Sequence, residues 1–509
     1  METTLPHIAA FWSNTVSRLP NATACIYGDE THSFGQVDAA VERLAAYLHH
    51  ECGVNKGDRV AIALPNCGAY LSAYWAAIGL GAIVVPVNIK LRDEEPAFVF
   101  ANSEPSAVIV HEHAENMVRE ALAAAGLDPF VIRVAAGRDG VDFMPPGTDA
   151  RKTNDAADLS GDDIAVVLYT SGTTGRPKGA IMRHCDLLFN VRNAILAHSF
   201  RHEDVHLLVI PFFAPTASYS LLPTCAYLGS PVVVAPEPNP AELFDLIDAH
   251  QCTTFIGVPT LFHLVTQHPR LADADLSSLR LIAYSGSPMP ARTITALRSR
   301  FPSISLHNFF GLTETISMTH VLPSRDAVER ADSIGIALPE VFARVVDDTG
   351  SDVPWGETGE LCFHRSNIIS GYWRQEGRLD AAIRGQWFLT GDLATRDQDG
   401  YFYVRGRAKD MIIVAGQNVY ALEVENVILR HPDVCEVAVI GVEATGVRAA
   451  LGELVKAVVV PQPDANLSEL DIKRHCSGHL PSYKVPQVVE FAGQLPRNAA
   501  GKVLKHQLR

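Results

Sequence analysis

The 509-residue chain reads as an α/β protein with covered sheets, followed by a β-rich stretch and a small α+β domain at its end. Three observations predict this. Up to about Ser333, short apolar runs rich in β-branched residues alternate with longer helical patterns, as expected for sheets buried on both faces. From Ser333 to Tyr403 the strands are short and broken by Asp347, Asp348, Gly350, Gly356, Gly359 and Gly371, which suits antiparallel β or a small barrel. Beyond the charged stretch Arg405 to Asp410, the last roughly 100 residues carry an α/β pattern of their own, which is domain-sized.

The elements follow in order. Ser33 is placed to cap a helix from Ser33 to Glu51. Strands are expected at Arg59 to Leu64, Ala107 to Val110, Ile164 to Tyr169, Val205 to Ile210, Pro231 to Ala235 and Thr254 to Val258. The apolar run Ala76 to Val87 is too short for a bilayer and carries Gly79, Gly81 and Pro86, so it reads as a buried helix leading into a strand. A helix is expected at Glu242 to His250. In the last domain Val419 to His431 is helical, Val434 to Val442 and Leu454 to Val460 are strands, and Asn466 with Glu469 forms a capping box for a helix toward His479.

Composition narrows the function. Hydrophobic residues make up 47% and charged residues 19%, so wholesale disorder is excluded. A formal charge of -15 removes the drive for nonspecific binding to nucleic acid or anionic membranes; any anion must be met by a few placed groups. Nine cysteines, scattered and never in a CxxC pair, point to a reducing, cytoplasmic setting. The first residues do not read as a signal peptide, and no stretch is long and apolar enough to span a bilayer.

The strongest chemical signal is Thr170-Ser171-Gly172-Thr173-Thr174-Gly175-Arg176-Pro177-Lys178-Gly179, directly after a predicted strand. Hydroxyl and backbone donors with three glycines let the chain wrap an anion closely, and Lys178 adds a point charge for phosphate oxygens. It is neither a Walker loop nor a dinucleotide fingerprint. No Gly-x-Ser-x-Gly elbow is present, which argues against a serine thioesterase.

As an ordered string this loop resembles the phosphate-binding signature of the adenylate-forming superfamily, in its acyl-CoA synthetase or AMP-dependent CoA ligase branch. Six further motifs resemble the family's in order: Tyr284 to Pro288, Phe310 to Glu314, Thr390 to Asp392, Arg405 to Lys409, Ala415 to Tyr420 and Pro496 to Lys502. The resemblance runs from about Ala24 to the C-terminus. It implies an N-terminal AMP-binding domain, 1–408, of two α/β sheet subdomains plus a small β-barrel-like subdomain. A mobile C-terminal α+β domain, 409–509, would carry the catalytic lysine.

The resemblance also implies roles. Thr170, Ser171, Gly172, Thr173, Thr174 and Lys178 would hold the phosphates of ATP, and Gly286, Ser287 and Pro288 the adenine. Asn308, Phe309, Phe310, Gly311 and Thr313 would complete the nucleotide site. Glu314 would ligate Mg²⁺, a cation that prefers hard oxygen donors. Asp392 would accept from the ribose hydroxyls and Arg407 donate to ribose or phosphate. Lys502 would stabilise the charge brought together when a carboxylate attacks the α-phosphate, with Thr313 and Glu314 assisting. Lys409 is the hinge, and Ala415 with Gly416 would line the way for coenzyme A.

The acid pocket would be formed by Phe213, Ala214, Tyr219, Phe309 and Gly311. Ala214 stands near where many relatives have His, and Gly311 where acetyl-specific relatives carry a large aromatic; the latter implies an acid larger than acetate, whether aliphatic, cyclic or aromatic. Pro211 to Tyr219 contains no acidic residue to pair with an α-amino group, which favours a non-amino acid and CoA rather than a carrier protein. Loading of a carrier protein by a stand-alone adenylation enzyme is the alternative, as is a non-catalytic nucleotide-binding homologue, although Lys502, Glu314 and Asp392 are all present. Nucleic acid is not an expected partner, and homodimerisation is left open. His7, His184 and His364 have no motif support and are expected to be structural.

Overall fold

A computed structural model describes residues 6–144, 158–170, 177–287, 289–444, 452–463, 465–497 and 503–509. The chain divides into two compact units. The first comprises 1–287, 301–320 and 367–381; the second comprises 288–300, 321–366 and 382–509.

The first unit is built on two sheets. One has the strand order Phe130–Val134, Ala107–His111, Arg59–Ala63, Ile83–Pro86, Ile164–Thr170, Lys178–Arg183. Its first five strands pair in parallel, and the last pair is an antiparallel hairpin in which Thr170 faces Lys178 across the ladder. In the other sheet, Ser305–Leu312, Leu281–Tyr284, Thr254–Gly257, His206–Leu208, Val232–Val234 and Thr23–Tyr27 are successive parallel neighbours. Glu30–Ser33 closes one side antiparallel, and Ser317–Leu322 lies beyond Ser305–Leu312.

The strands read as continuous apolar runs because both faces are covered: every residue of Ala107–His111, Ile83–Pro86 and Thr254–Gly257 is buried. The helix Gly68–Gly79 is buried all round except at its last residue, as its lack of a polar face requires. The helix Phe34–His50 begins where its cap predicts. The Gln36 amide donates to Ser33 Oγ, and the Ser33 amide donates to Gln36 Oε1.

The second unit contains an antiparallel sheet in which Ala343–Val346 pairs Gly359–His364, which pairs Trp387–Arg396; that long strand also takes Ile383–Arg384 and Phe402–Arg407. Arg405-Gly406-Arg407, the start of the charged stretch at the expected boundary, is therefore the end of a strand. Beyond it, Val434–Glu443, Glu453–Pro461 and Val488–Phe491 form a three-stranded sheet covered by the helices Ala421–Ile428 and Glu469–Ser477. Ile412, Val424, Ile428, Val439, Val455 and Ile472 belong to a core of this part's own.

One cap differs from expectation. Two capping-box spacings overlap, Asn466 to Glu469 and Ser468 to Asp471, and the second forms: the Asp471 amide donates to Ser468 Oγ and the Ser468 amide donates to Asp471 Oδ2. The helix accordingly starts after Ser468.

The interior of the first unit holds a histidine group. His198 and His307 share a hydrogen bond between their Nδ1 atoms at 3.2 Å, and His206 Nδ1 meets Thr254 Oγ1 at 2.8 Å. Burial pushes His206 and His307 down to about 4, and His198 far below the ordinary imidazole value. The unfolded chain takes up these protons near pH 6.5 while the folded chain refuses them, so these groups withdraw stability as pH falls from about 6.5 toward 4. Urea unfolding midpoints should decline through that window. The variant His206→Gln, which keeps a partner for Thr254, should show a shallower decline; an unchanged slope would contradict this.

Candidate functional site

The antiparallel hairpin puts two of the predicted phosphate-loop residues opposite each other, Thr170 at the end of one strand and Lys178 at the start of the next. Ser171, Gly172, Thr173 and Thr174 lie outside the described residues, as do Pro288 and Lys502. The Lys178–Arg183 strand is an edge of its sheet, and the segment Gly371 to Trp373 lies along it. The Ile181 amide donates to the Gly371 carbonyl (3.1 Å), the Trp373 amide donates to the Gly179 carbonyl (2.7 Å), and Ala180 bridges Tyr372. Trp373 Nε1 also donates to the Asn102 carbonyl at 3.2 Å. Edge groups that would otherwise stay unpaired are thereby used to fix a second segment.

This docking defines the site. The Tyr372 hydroxyl donates to Glu314 Oε1 at 2.7 Å, and the Lys178 ammonium lies over the Tyr372 ring, 5.1 Å from its centroid. The Ile369 amide donates to the Glu314 carbonyl at 2.9 Å, tying the same segment to the backbone that carries Glu314. Burial lowers the Lys178 pKa, with nearby Arg378 acting in the same direction and Glu314 opposing it. Lys178 and Glu314, predicted from separate motifs, are thus brought onto one tyrosine that no motif singled out.

Glu314 sits in a short 3₁₀ turn, Thr313–Thr315, at the end of the Ser305–Leu312 strand. Thr315 Oγ1 accepts from the Leu312 amide (2.9 Å) and closes the turn. Ile316 and Ser317 follow with φ of 58° and 78°, a region that a β-branched residue such as Ile316 rarely enters, so tertiary contacts impose this conformation. Along the strand Asn308 and Phe309 are buried and Phe310 is half-buried. Phe309 packs edge-on against His198 (5.2 Å between centroids), and Phe310 meets His320 (6.1 Å).

Gly311 has a backbone reason beside the one expected. A Cβ built there would lie 1.3 Å from the Ser317 carbonyl oxygen, so glycine is required for backbone to approach backbone. Its presence is explained without reference to the size of the acid.

The predicted acid-pocket segment is anchored by residues that sequence reasoning missed. Asn66 Oδ1 accepts from the Phe212 amide (2.8 Å), while its Nδ2 donates to the Ile210 and Ala235 carbonyls. The hydroxyls of Tyr70 and Tyr74 donate to the carbonyls of Phe212 (3.1 Å) and Ser218 (2.9 Å). Phe213 and Ala214 are half-buried, and a π-helical turn, Thr216–Leu221, holds Tyr219 fully buried. The Tyr219 hydroxyl has no partner among the described residues. Gly286 and Ser287 are exposed just after the Leu281–Tyr284 strand.

In the second unit, Asp392 and Arg407 are register partners on adjacent strands, and Arg407 Nε donates to Asp392 Oδ1 at 2.7 Å. Arg407 Nη1 also donates to the Thr390 carbonyl (3.2 Å), and the Asp392 amide donates to Thr390 Oγ1 (3.0 Å). Asp392 is 5% exposed, a buried carboxylate whose cation stays partly exposed. Lys409 is exposed in the short turn Ala408–Asp410. Ala415 and Gly416 are the two central residues of a hairpin joining Ile412–Val414 to Gln417–Val419, both at positive φ (51° and 78°), as a type I′ turn requires. On either side of 498–502, Arg497 bridges Val503 and the Leu504 amide donates to the Pro496 carbonyl.

Among the described residues no group of three or more His, Cys, Asp or Glu is placed to hold a metal, and no helix is long and apolar enough to cross a membrane. The nine cysteines are unpaired.

Known proteins match over nearly the whole chain. The family described as AMP-binding enzyme matches residues 12–373, and its C-terminal domain family matches 423–502. Feruloyl-CoA synthase of an Amycolatopsis species is 35% identical, covering 96% of each chain. Indoleacetate–CoA ligase of Aromatoleum aromaticum is 32% identical, covering 96% of this chain and 95% of its own. Among solved structures, ATP-bound MatB from Rhodopseudomonas palustris superposes with a TM-score of 0.87 at 30% identity, covering 98% of both chains.

The Gly311 geometry gives a direct test. In Gly311→Ala the added methyl collides with the Ser317 carbonyl, and the turn carrying Glu314 must shift. A loss of about 1–3 kcal/mol, the usual range for overpacking, is expected in urea unfolding. Wild-type stability in this variant would contradict the close approach.

Proposed function

The chain belongs to the AMP-binding enzyme family, in its acyl-CoA synthetase branch, and from that premise we propose how its residues divide the joining of a carboxylic acid to coenzyme A. The protein is an ATP-dependent, AMP-forming acid–thiol ligase. A carboxylate oxygen attacks the α-phosphorus of ATP and pyrophosphate leaves; the thiol sulfur of CoA then attacks the acyl carbon, loses its proton, and AMP leaves. The observation that carries the division of labour is the meeting of Lys178 and Glu314 on Tyr372.

Lys178 and Thr170 take phosphate oxygens, together with Ser171, Gly172, Thr173 and Thr174. Gly286, Ser287 and Pro288 hold adenine, with Asn308, Phe309, Phe310, Gly311 and Thr313 completing the surroundings. Asp392 takes the ribose hydroxyls, with Arg407 holding its carboxylate in place. Lys502 stands between the attacking carboxylate and the α-phosphate, where a cation lowers the barrier most in a desolvated site.

Glu314 fits Mg²⁺. One of its oxygens accepts from Tyr372, and no group of three or more His, Cys, Asp or Glu is assembled to hold a metal among the described residues. A lone hard oxygen ligand suits a cation that arrives with phosphate oxygens and keeps much of its water. Bound there, Mg²⁺ would neutralise phosphate charge.

The second half-reaction belongs to 409–509, whose separate core supports treating it as a domain on the 1–408 body. Lys409 is the hinge and the Ala415-Gly416 turn lines the path of CoA. The acid is a non-amino acid larger than acetate, and an aromatic one is favoured by the names of two relatives, feruloyl-CoA synthase and indoleacetate–CoA ligase. Phe213, Ala214, Tyr219 and Phe309 receive it. The unpaired cysteines support a reducing, cytoplasmic setting.

Two measurements test this. A panel of aromatic, cyclic and straight-chain acids is scored by pyrophosphate release, then by AMP release with CoA; aromatic acids should give the highest kcat/KM, and ADP as product would refute the mechanism. Lys502→Ala should slow acyl-adenylate formation about 100-fold or more while sparing thiolysis of supplied acyl-adenylate. Lys409→Pro, by fixing φ, should do the reverse. Equal losses in both steps for either variant would contradict its assignment.

A further inference from the structure

Lys178 and Glu314 carry opposite charges and meet the same side chain, yet among the described residues no ion pair joins them. We propose that Tyr372 is a positioning residue that keeps this pair apart: its hydroxyl holds the Glu314 carboxylate and its ring face holds the Lys178 ammonium, so both remain available to metal-bound ATP. This rests on the nucleotide role given above to those two residues.

A lysine and a glutamate that contact one tyrosine in a partly desolvated site attract each other more strongly than in water. Direct contact would satisfy both charges, and ATP and its metal would then have to break that contact before binding. A phenol prevents this by its two chemistries. Its O–H is a directional donor to one carboxylate oxygen, which leaves the other oxygen for a ligand. Its π face attracts the ammonium without using the ammonium's N–H donors fully, since the contact is electrostatic and broad. An aliphatic side chain offers neither contact, and a phenyl ring offers only the second.

The tyrosine is built to stay in this place. It is 7% exposed, and the backbone on both sides of it is bonded to the Lys178–Arg183 strand, through Gly371 to Ile181 and through Trp373 to Gly179. The Ile369 amide reaches the Glu314 carbonyl, so the segment that presents Tyr372 also holds the turn that presents Glu314. The side of the segment beyond Tyr372 is fixed as well, by Trp373 on Asn102 and by the ion pair of Arg374 with Glu104. Swinging the ring away would require breaking these contacts together.

The test uses the full-length chain, ATP and Mn²⁺ in place of Mg²⁺, with no acid and no CoA; bound metal is followed by electron paramagnetic resonance and metal-free ATP binding by calorimetry. Because no acid is present, an error in the proposed acid class does not enter the measurement. Tyr372→Phe should weaken Mn²⁺·ATP about tenfold, the scale of a lost hydrogen bond to a charged group, with the melting temperature held. On a Glu314→Gln background the same change should have little further effect. Tyr372→Leu should weaken metal-free ATP binding as Lys178 collapses onto Glu314, and adding Glu314→Gln should restore it. The proposal is overturned if Tyr372→Phe binds Mn²⁺·ATP like wild type, if its effect is the same with and without Glu314, or if Glu314→Gln fails to rescue Tyr372→Leu. Failure of the wild-type chain to bind Mn²⁺·ATP at all would overturn the nucleotide role and this inference with it.

Discussion

The pairing of Gly371 to Trp373 along the edge of the Lys178–Arg183 strand is the contact on which the site of the first unit depends. An edge strand offers a row of unpaired donors and acceptors, which is usually a hazard. Here the row is used to hold a distant segment in register, so that one tyrosine lies over Lys178 and reaches Glu314. A carboxylate at the end of one sheet and a cation at the tip of another are brought together by backbone hydrogen bonds rather than by their own attraction. Preorganised charges of this kind need not be gathered when a polyanion arrives.

The second unit solves a similar problem in another way. Asp392 and Arg407 stand opposite each other in a ladder and are already bonded, with Thr390 supporting both. There the cation orients a buried carboxylate, whereas around Tyr372 cation and carboxylate are held close without pairing. With the roles proposed above, such placed groups would let a chain with a net charge of -15 meet ATP and CoA. A diffuse acidic surface discourages nonspecific anion binding, while a few fixed cations and amides act at short range where screening is weak.

Much of the fold was legible because its signals are local. Fully buried strands appear as unbroken apolar runs, and the apolar helix Gly68–Gly79 appears as one that lacks a polar face. Strand ends were less legible: the run predicted to Ile210 stops at Leu208, and Asn66, far away in sequence, takes the Ile210 carbonyl and the Phe212 amide. The motif residues Lys178, Glu314, Asp392 and Arg407 were found from their strings, but Tyr372, Asn66, Tyr70 and Tyr74 were not. Each of these acts through contacts with residues far away in sequence, which leave no periodic or spaced trace. Gly311 stood out in the sequence without its backbone contact, because a backbone-to-backbone approach and an opened pocket both call for glycine.

In the proposed mechanism a carboxylate oxygen of the acid attacks the α-phosphorus of ATP. This step can be followed with an acid labelled with ¹⁸O in both carboxylate oxygens, turned over with ATP and CoA in ordinary water. The mechanism predicts one ¹⁸O in each AMP released and none in pyrophosphate, read by mass spectrometry. Unlabelled AMP, or label appearing in pyrophosphate or phosphate, would contradict it.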